Sequence, residues 1–309
     1  MTATPGGGWR LRAYGIAAHP YLLLACANLF WAGNQVVGKS VLDQVPPFAL
    51  GFWRWALALL ILLPLAGPEL VRAWPVIRRH GPYLLACGLM AVTAWQALIY
   101  LALQRTLVLN ILLINALGPL LIMGAAWAMA GERMSARQAL GGLLGLLGAL
   151  AIVTQADPAR LLALEFQSGD LLALAGQIIW AVYSIMLRRR PAGLTPLGFA
   201  TSTAVFGTLG LVPFELWEHA QIGGFALTWP IVAALAYLAV FPSVLSLILW
   251  NRGVAAVGAG PAGQTMYLIP LFGAVLSMVF LGERLAWHHA IGIALIAPGV
   301  WLASRAAAK

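Results

Sequence analysis

Gly131-Glu132-Arg133 and Gly282-Glu283-Arg284 place the same three residues at two points of one chain, 151 positions apart. The correspondence runs outward from them. At that offset Pro119 meets Pro270, Gly141 meets Gly292 and Gly148 meets Gly299. Further toward the N-terminus the offset is 149: Asn28-Leu29-Phe30-Trp31-Ala32 lies over Gln177-Ile178-Ile179-Trp180-Ala181, Pro47 over Pro196 and Pro64 over Pro213. Single Pro or Gly coincidences are cheap in such a sequence, but a Gly-Glu-Arg at the same place in each half is not. The order is kept throughout, so the chain reads as two tandem copies of one unit.

The unit is a membrane unit. Apolar residues make up 62% of the 309 residues and charged residues 9%, against about 45–50% and about 25% in a soluble domain. A bilayer core about 30 Å thick takes about 20 apolar helical residues to cross. Stretches suited to that task lie at 21–38, 47–65, 82–103, 107–130, 138–153, 171–187, 197–216, 229–249, 261–281 and 287–304. The expected fold class is an all-α integral membrane protein of ten transmembrane helices. A first five-helix repeat occupies 1–156, an extracytoplasmic linker 157–167, and a second repeat 168–309. Five is odd, so the second repeat enters the bilayer upside down. Inverted repeats are a common architecture of secondary transporters.

The net charge of +9 is a topology signal rather than a nucleic-acid footprint. Arg10, Arg12, Arg72, Arg78, Arg79, Arg133, Arg137, Arg188, Arg189, Arg190, Arg252, Arg305 and Lys309 fall on one side of the ten-span arrangement; Lys39, Arg105, Arg160 and Arg284 fall on the other. The positive-inside rule then puts both termini in the cytoplasm. Asp43, Asp157, Glu165, Asp170, Glu215, Glu218 and Glu283 lie on the far side, so no Asp or Glu is expected in the middle of a span. Cys26 and Cys87 both fall within spans and suggest no disulfide framework. Leu23-Leu24-Ala25-Cys26 faintly resembles a lipoprotein cleavage site, but the apolar run continues past it, which favours an uncleaved first helix.

The Trp-Ala of the first helix (Trp31-Ala32), an Arg in the second (Arg54) and the Gly-Glu-Arg after the fourth resemble the drug/metabolite transporter superfamily, EamA type, over nearly the whole chain and in two copies. The most specific stretches are 130–140 and 281–291, each followed by a glycine-punctuated helix. That resemblance implies a ten-helix bundle in a cytoplasmic membrane. It also implies a central cavity lined mainly by the first four helices of each half, and export of small metabolites, often amino acids or related compounds.

Polar groups within a bilayer are costly unless paired or hydrated. Asn28, Trp31 and Gln35 follow an i, i+3, i+7 spacing on one helical face, and Gln177, Trp180 and Ser184 repeat it. Two such faces suit a cavity for a polar molecule with an apolar part; helix–helix hydrogen bonding is the competing reading. Asn34, Trp95, Gln96, Asn115, Tyr183, Ser243, Ser246, Gln264 and Tyr267 are further midspan candidates. Arg54 is the one clearly embedded charge and favours a carboxylate partner, unless it only fixes helix ends. Lys39 sits near the outer end of the first helix, where it can snorkel. Trp53, Trp55, Trp217, Trp229, Trp287 and Trp301 read as an interfacial belt. Pro119, Pro242 and Pro270 are hinge candidates, each freeing a carbonyl four residues earlier, at Asn115, Leu238 and Met266. Gly141-Gly142-Leu143-Leu144-Gly145 offers small-xxx-small packing.

No zinc motif, phosphate-binding loop or catalytic constellation is present, and all five histidines lie near span ends. The sequence therefore predicts no enzyme, no cofactor and no metal. The partners expected are a small-molecule substrate and the lipid bilayer, not nucleic acid. The reading is a secondary transporter, an exporter of small polar metabolites such as amino acids or related carboxylates, working by alternating access. A non-transporting scaffold or receptor is the alternative.

Overall fold

The computed structural model describes residues 19–41, 43–162, 165–281 and 286–306. Among them there is helix and no strand. The terminal arginines Arg10 and Arg12, Lys309 and the second Gly-Glu-Arg, including Glu283, lie outside the described residues. The rods are α1 (Pro20–Val41), α2 (Pro47–Arg72), α3 (Gly81–Leu103), α4 in two pieces (Val108–Ala116 and Gly118–Ala130) and α5 (Ala136–Val153). They continue as α6 (Ser168–Met186), α7 (Pro196–Ile222), α8 (Trp229–Val257), α9 (Ala259–Phe280) and α10 (Trp287–Ala306). Seven of these, α2, α3 and α5 to α9, are long and apolar enough to cross a membrane, and the bent α4 adds an eighth if its pieces form one span. The chain is a multi-pass membrane protein. Falling below that mark, α1 carries Asn28, Asn34, Gln35 and Lys39, and α10 is apolar over a shorter stretch, Trp287–Leu302.

Local chemistry sets the breaks. Pro119 stands in the first turn of the second piece of α4, after a bend of 41°; a proline there gives up no helical donor, so the helix restarts rather than continues. At Gly131 the backbone adopts φ 67°, the left-handed end that a glycine provides without strain. Ser135 and Gln138 open α5 with a reciprocal capping box. A π-helical turn interrupts α3 at Leu89–Ala94 and another interrupts α8 at Ala239–Leu245, 150 positions on. In α8, Pro242 cannot donate to Leu238, and the Ser243 hydroxyl donates to that carbonyl instead, at 2.8 Å.

In the bundle α5 packs along α10 and α2 along α7; α1 meets α8 and α9, while α6 meets α3 and α4. The α2–α7 crossing carries reciprocal caps. On α2, Glu69 accepts from the Thr195 N–H at 2.7 Å and from its hydroxyl at 2.6 Å, holding the start of α7. On α7, Glu218 accepts from the Ala49 N–H at 2.8 Å in the first turn of α2. The two glutamates stand 149 positions apart. Each satisfies an orphan donor at the other helix's N-terminus and complements its dipole. The sequence reading ended the seventh span before Glu218 and left it to a loop. In the structure α7 runs on to Ile222 and Glu218 is buried.

The α5–α10 seam is built on glycine. A β-carbon at Gly148 would stand 2.9 Å from the Gly292 carbonyl oxygen, and one at Gly299 would stand 2.7 Å from that of Gly141. Backbones therefore touch at two crossings that pair each repeat-equivalent glycine with the other's partner.

Asp170 caps the other end of the bundle. It accepts from the Gln167 N–H at 2.9 Å, from Asn110 Nδ2 at 3.0 and 3.1 Å and from the Thr106 hydroxyl, joining the α3–α4 turn to the start of α6. Asp170→Ala strands three donors and is expected to destabilise by on the order of 3 kcal/mol. A lowered thermal midpoint in detergent, largely recovered by Asp170→Asn, checks it; an unchanged midpoint in Asp170→Ala would show the cap to be dispensable.

Candidate substrate cavity

A cavity of about 170 Å³ lies between the halves. Its wall is repetitive. Repeat-equivalent residues line it in pairs: Trp31 with Trp180, Arg54 with Thr203, and Val92 with Pro242. On α4 and α9, Asn115 pairs with Met266, Ala116 with Tyr267 and Pro119 with Pro270. The bends and π-turns of α3, α4, α8 and α9 thus fall where the helices pass the cavity. Irregular backbone at membrane depth is tolerated where protein or a water-filled cavity covers it.

Indoles cluster on and behind its wall. Trp31 and Trp180 meet edge to face at 5.5 Å, and Trp250 lies 5.1 Å from Trp31 and 6.2 Å from Trp180. Trp95 and Tyr183 flank Trp180 at 6.2 and 5.4 Å. Trp31 donates its Nε1–H to the Pro242 carbonyl at 3.2 Å. This contact joins α1 to the π-turn of α8. The Trp180 Nε1, Tyr267 hydroxyl and Arg54 Nε are buried without a protein partner. Arg54 donates through Nη1 to Asn34 Oδ1 at 2.7 Å and sits 5.5 Å from the centre of the Trp55 ring.

Ten of the sixteen residues that sequence offered for the cavity wall or close to it meet around it: Trp31, Asn34, Gln35, Arg54, Trp95, Asn115, Gln177, Trp180 and Tyr267 line it, and Tyr183 packs behind Trp180. The hinge candidates Pro119, Pro242 and Pro270 line it too. The remaining candidates are off the wall, bonded within their own helix or to a neighbouring one. Asn28 donates to the Thr265 carbonyl and hydroxyl, both at 2.9 Å, and fastens α1 to α9. In the equivalent place Gln177 donates to Asn115 at 2.6 Å and fastens α6 to α4. Ser246 donates to the Ala27 carbonyl, Ser184 to that of Trp180 and Ser243 to that of Leu238. Gln264 reaches the Gln138 carbonyl at 2.7 Å, and Gln96 points at the Tyr100 hydroxyl at 3.4 Å. Short polar side chains in a helical bundle find backbone partners first, which takes them off the wall.

Sequence reading also assigned Trp55 to the interfacial belt. It is buried and lines the cavity, because its helical position turns it inward while Trp53 faces out. Trp217, Trp229, Trp287 and Trp301 are exposed as expected. Sequence reading does not single out Trp250, which is fully buried; at the offset of 150 that relates α3 to α8 its equivalent is Tyr100.

At the end of the α4–α5 connection polar contacts tie the two halves together. Glu132 forms an ion pair with Arg188, just past α6, and Arg189 donates to the Met129 carbonyl at 2.8 Å. The Tyr83 hydroxyl donates to the Met186 carbonyl nearby.

A multi-pass helical protein with a cavity lined by equivalent residues of both repeats has the architecture of a carrier. Comparison with known proteins gives the family: the EamA-like transporter model matches residues 19–154 and again 167–305. The chain belongs to the EamA-like transporter family, within the drug/metabolite transporter superfamily, and is a transporter of small molecules rather than an enzyme. Similar curated proteins include an uncharacterized transporter of Archaeoglobus fulgidus, 30% identical over 91% of this chain and 96% of its own. The uncharacterized transporter YyaM of Bacillus subtilis is 27% identical over 92% and 93%. A probable terminal-alkyne amino-acid exporter of Streptantibioticus cattleyicolor is 27% identical over 89% and 90%. One solved crystal structure superposes with a TM-score of 0.75 at 23% identity over 94% of this chain and 97% of its own, a likeness of fold.

Proposed function

We propose that this transporter is an inner-membrane exporter of small polar metabolites carrying a carboxylate, working by alternating access between two inverted five-helix repeats. The observation that carries the reading is the cavity wall, assembled from repeat-equivalent residues of both halves, with the Glu132–Arg188 ion pair tying the halves together on one side. Ten spans follow if α1, the bent α4 and α10 cross with the seven helices of full apolar length. The repeats are then 1–156 and 168–309 joined by 157–167, with both termini cytoplasmic by the basic asymmetry. Inversion is supported by the pairing of helices: exchanging each rod with the one five later turns α1–α8 into α6–α3 and α1–α9 into α6–α4, and leaves α2–α7 and α5–α10 in place. The reciprocal Glu69 and Glu218 caps and the crossed glycine contacts obey the same exchange. Export of an amino-acid-like carboxylate draws on Arg54 and on the exporter named among the relatives.

In this mechanism the Glu132–Arg188 pair opens once per cycle. The test is a Glu132→Cys/Arg188→Cys double variant in a background with Cys26 and Cys87 replaced by alanine. Cross-linking the pair is expected to stop counterflow of labelled metabolites in proteoliposomes, and reduction to restore it. Counterflow that continues in fully cross-linked protein would rule out alternation at this end.

A further inference from the structure

The two walls of the cavity differ in chemistry although they match in position. From the first half come Arg54, Asn34, Gln35 and Asn115; the positions equivalent to Arg54 and Asn115 in the second half are Thr203 and Met266. Leu247 and Ile269 extend the second wall. The second wall keeps polar groups in Gln177, Thr203 and Tyr267 but has no counterpart to the cation, so a pseudo-symmetric site is charged on one side only.

Its charge inventory is short. Arg54 is the one charged residue on the wall; no Asp, Glu or His lines the cavity among the described residues. No ion pair among those residues includes Arg54, its Nε has no protein partner, and one Nη is held by Asn34. The buried Glu218 is off the wall and accepts from the Ala49 N–H. A guanidinium at membrane depth with spare donors and no counter-ion suits an anion with two coplanar oxygens, which is carboxylate geometry. An ammonium finds the opposite. There is no wall carboxylate to receive it among the described residues, and Arg54 repels it. The volume limits the rest: an engineered cavity of about 150 Å³ takes one benzene, so about 170 Å³ takes one ring and a short chain.

We propose that the cavity selects an amine-free monocarboxylate with a single compact apolar body. The carboxylate lies on the Arg54–Asn34 wall and the body lies between Trp180 and the Met266 side. This rests on the carrier reading above but narrows its substrate, setting organic acids ahead of zwitterionic amino acids.

Four compounds of nearly one shape separate the possibilities: 3-phenylpropionate, its amide, phenylalanine and 2-phenylethylamine. Binding to the protein in nanodiscs is read by quenching of tryptophan emission and by calorimetry. The acid is expected to bind about tenfold or more tighter than each of the other three. Arg54→Gln should erase the acid-over-amide preference, and Arg54→Lys, which keeps the charge without the fork, should retain part of it. Phenylalanine or the amine binding as tightly as the acid, or no binding of any of the four, overturns the proposal. Counterflow of the same compounds distinguishes the two readings. Exchange of phenylalanine but not of the acid leaves the carrier and removes the selectivity. An acid that binds and never exchanges leaves the selectivity and removes the carrier.

Discussion

Gly148→Leu is expected to split the α5–α10 seam. A β-carbon at Gly148 would stand 2.7 Å from Ile296 Cγ1, 2.9 Å from the Gly292 carbonyl oxygen and 3.0 Å from Leu295 Cβ. A flexible side chain could yield; the facing backbone cannot without moving α10 outward. Within a bilayer, helix association rests on close van der Waals contact, because lipid solvates apolar side chains as well as protein does. Once the backbones part there is little hydrophobic gain to hold the pair, so the loss is expected at the upper end of overpacking penalties or beyond, roughly 3 kcal/mol or more. Gly292→Leu should do the same from the other side, where the added atom would stand 2.3 Å from Ile152 Cγ1. The double variant should fall short of the sum, since both force one gap. Gly124→Leu is the control, with nothing within 4 Å of the added carbon. Thermal midpoints and monodispersity in detergent read all four. A Gly148→Leu protein as stable as the Gly124→Leu control would show that the contact at this seam does not hold the bundle together.

That seam was legible from the sequence because its glycines repeat and because small residues at four-residue spacing mean close approach whatever lies opposite. Trp31 and Trp180 were legible for the same reason: an indole repeated on a polar helical face is hard to explain twice by accident. What could not be read was which polar residues stay on the wall. Asn28 and Gln177 hold equivalent positions and each donates to a neighbouring helix, Asn28 to Thr265 and Gln177 to Asn115, yet Gln177 stays on the wall and Asn28 does not. Only the three-dimensional neighbour decides between a wall residue and a strut. Glu69 and Glu218 were a missed signal of a different kind. They obey the offset of 149, but a carboxylate near a span end reads as a solvated loop or helix-end residue. The helices instead run past the apolar stretch, and each acid finds the partner helix's free N–H groups. The π-turns at Leu89–Ala94 and Ala239–Leu245 left only Pro242 as a trace, since a wide turn has no composition of its own.

Trp180 is where fold and function compete for one side chain, and its replacement is expected to have the largest effect on transport. Its ring touches Trp31, Trp95, Trp250 and Tyr183, which come from four helices, α1, α3, α8 and α6 itself. Trp180→Ala removes the centre of that cluster and should destabilise by about 3–5 kcal/mol, so lost counterflow in this variant would not separate a binding role from collapse. Trp180→Phe does separate them. Phenylalanine keeps an aromatic ring against the same neighbours and removes the Nε1 donor, which is buried with no protein acceptor. If that N–H serves the fold alone, its removal is neutral or slightly stabilising, because an unpaired buried donor is a liability. If it serves the substrate, Trp180→Phe keeps its thermal midpoint while counterflow falls by about three- to tenfold, the value of one neutral hydrogen bond. Trp31→Phe is the comparison, since the Trp31 donor is already spent on the Pro242 carbonyl. Its loss should lower stability by about 1 kcal/mol and slow exchange through the α1–α8 contact without changing which compounds compete. Full counterflow in a stable Trp180→Phe protein would mean that the indole N–H faces no substrate and that Trp180 belongs to the core.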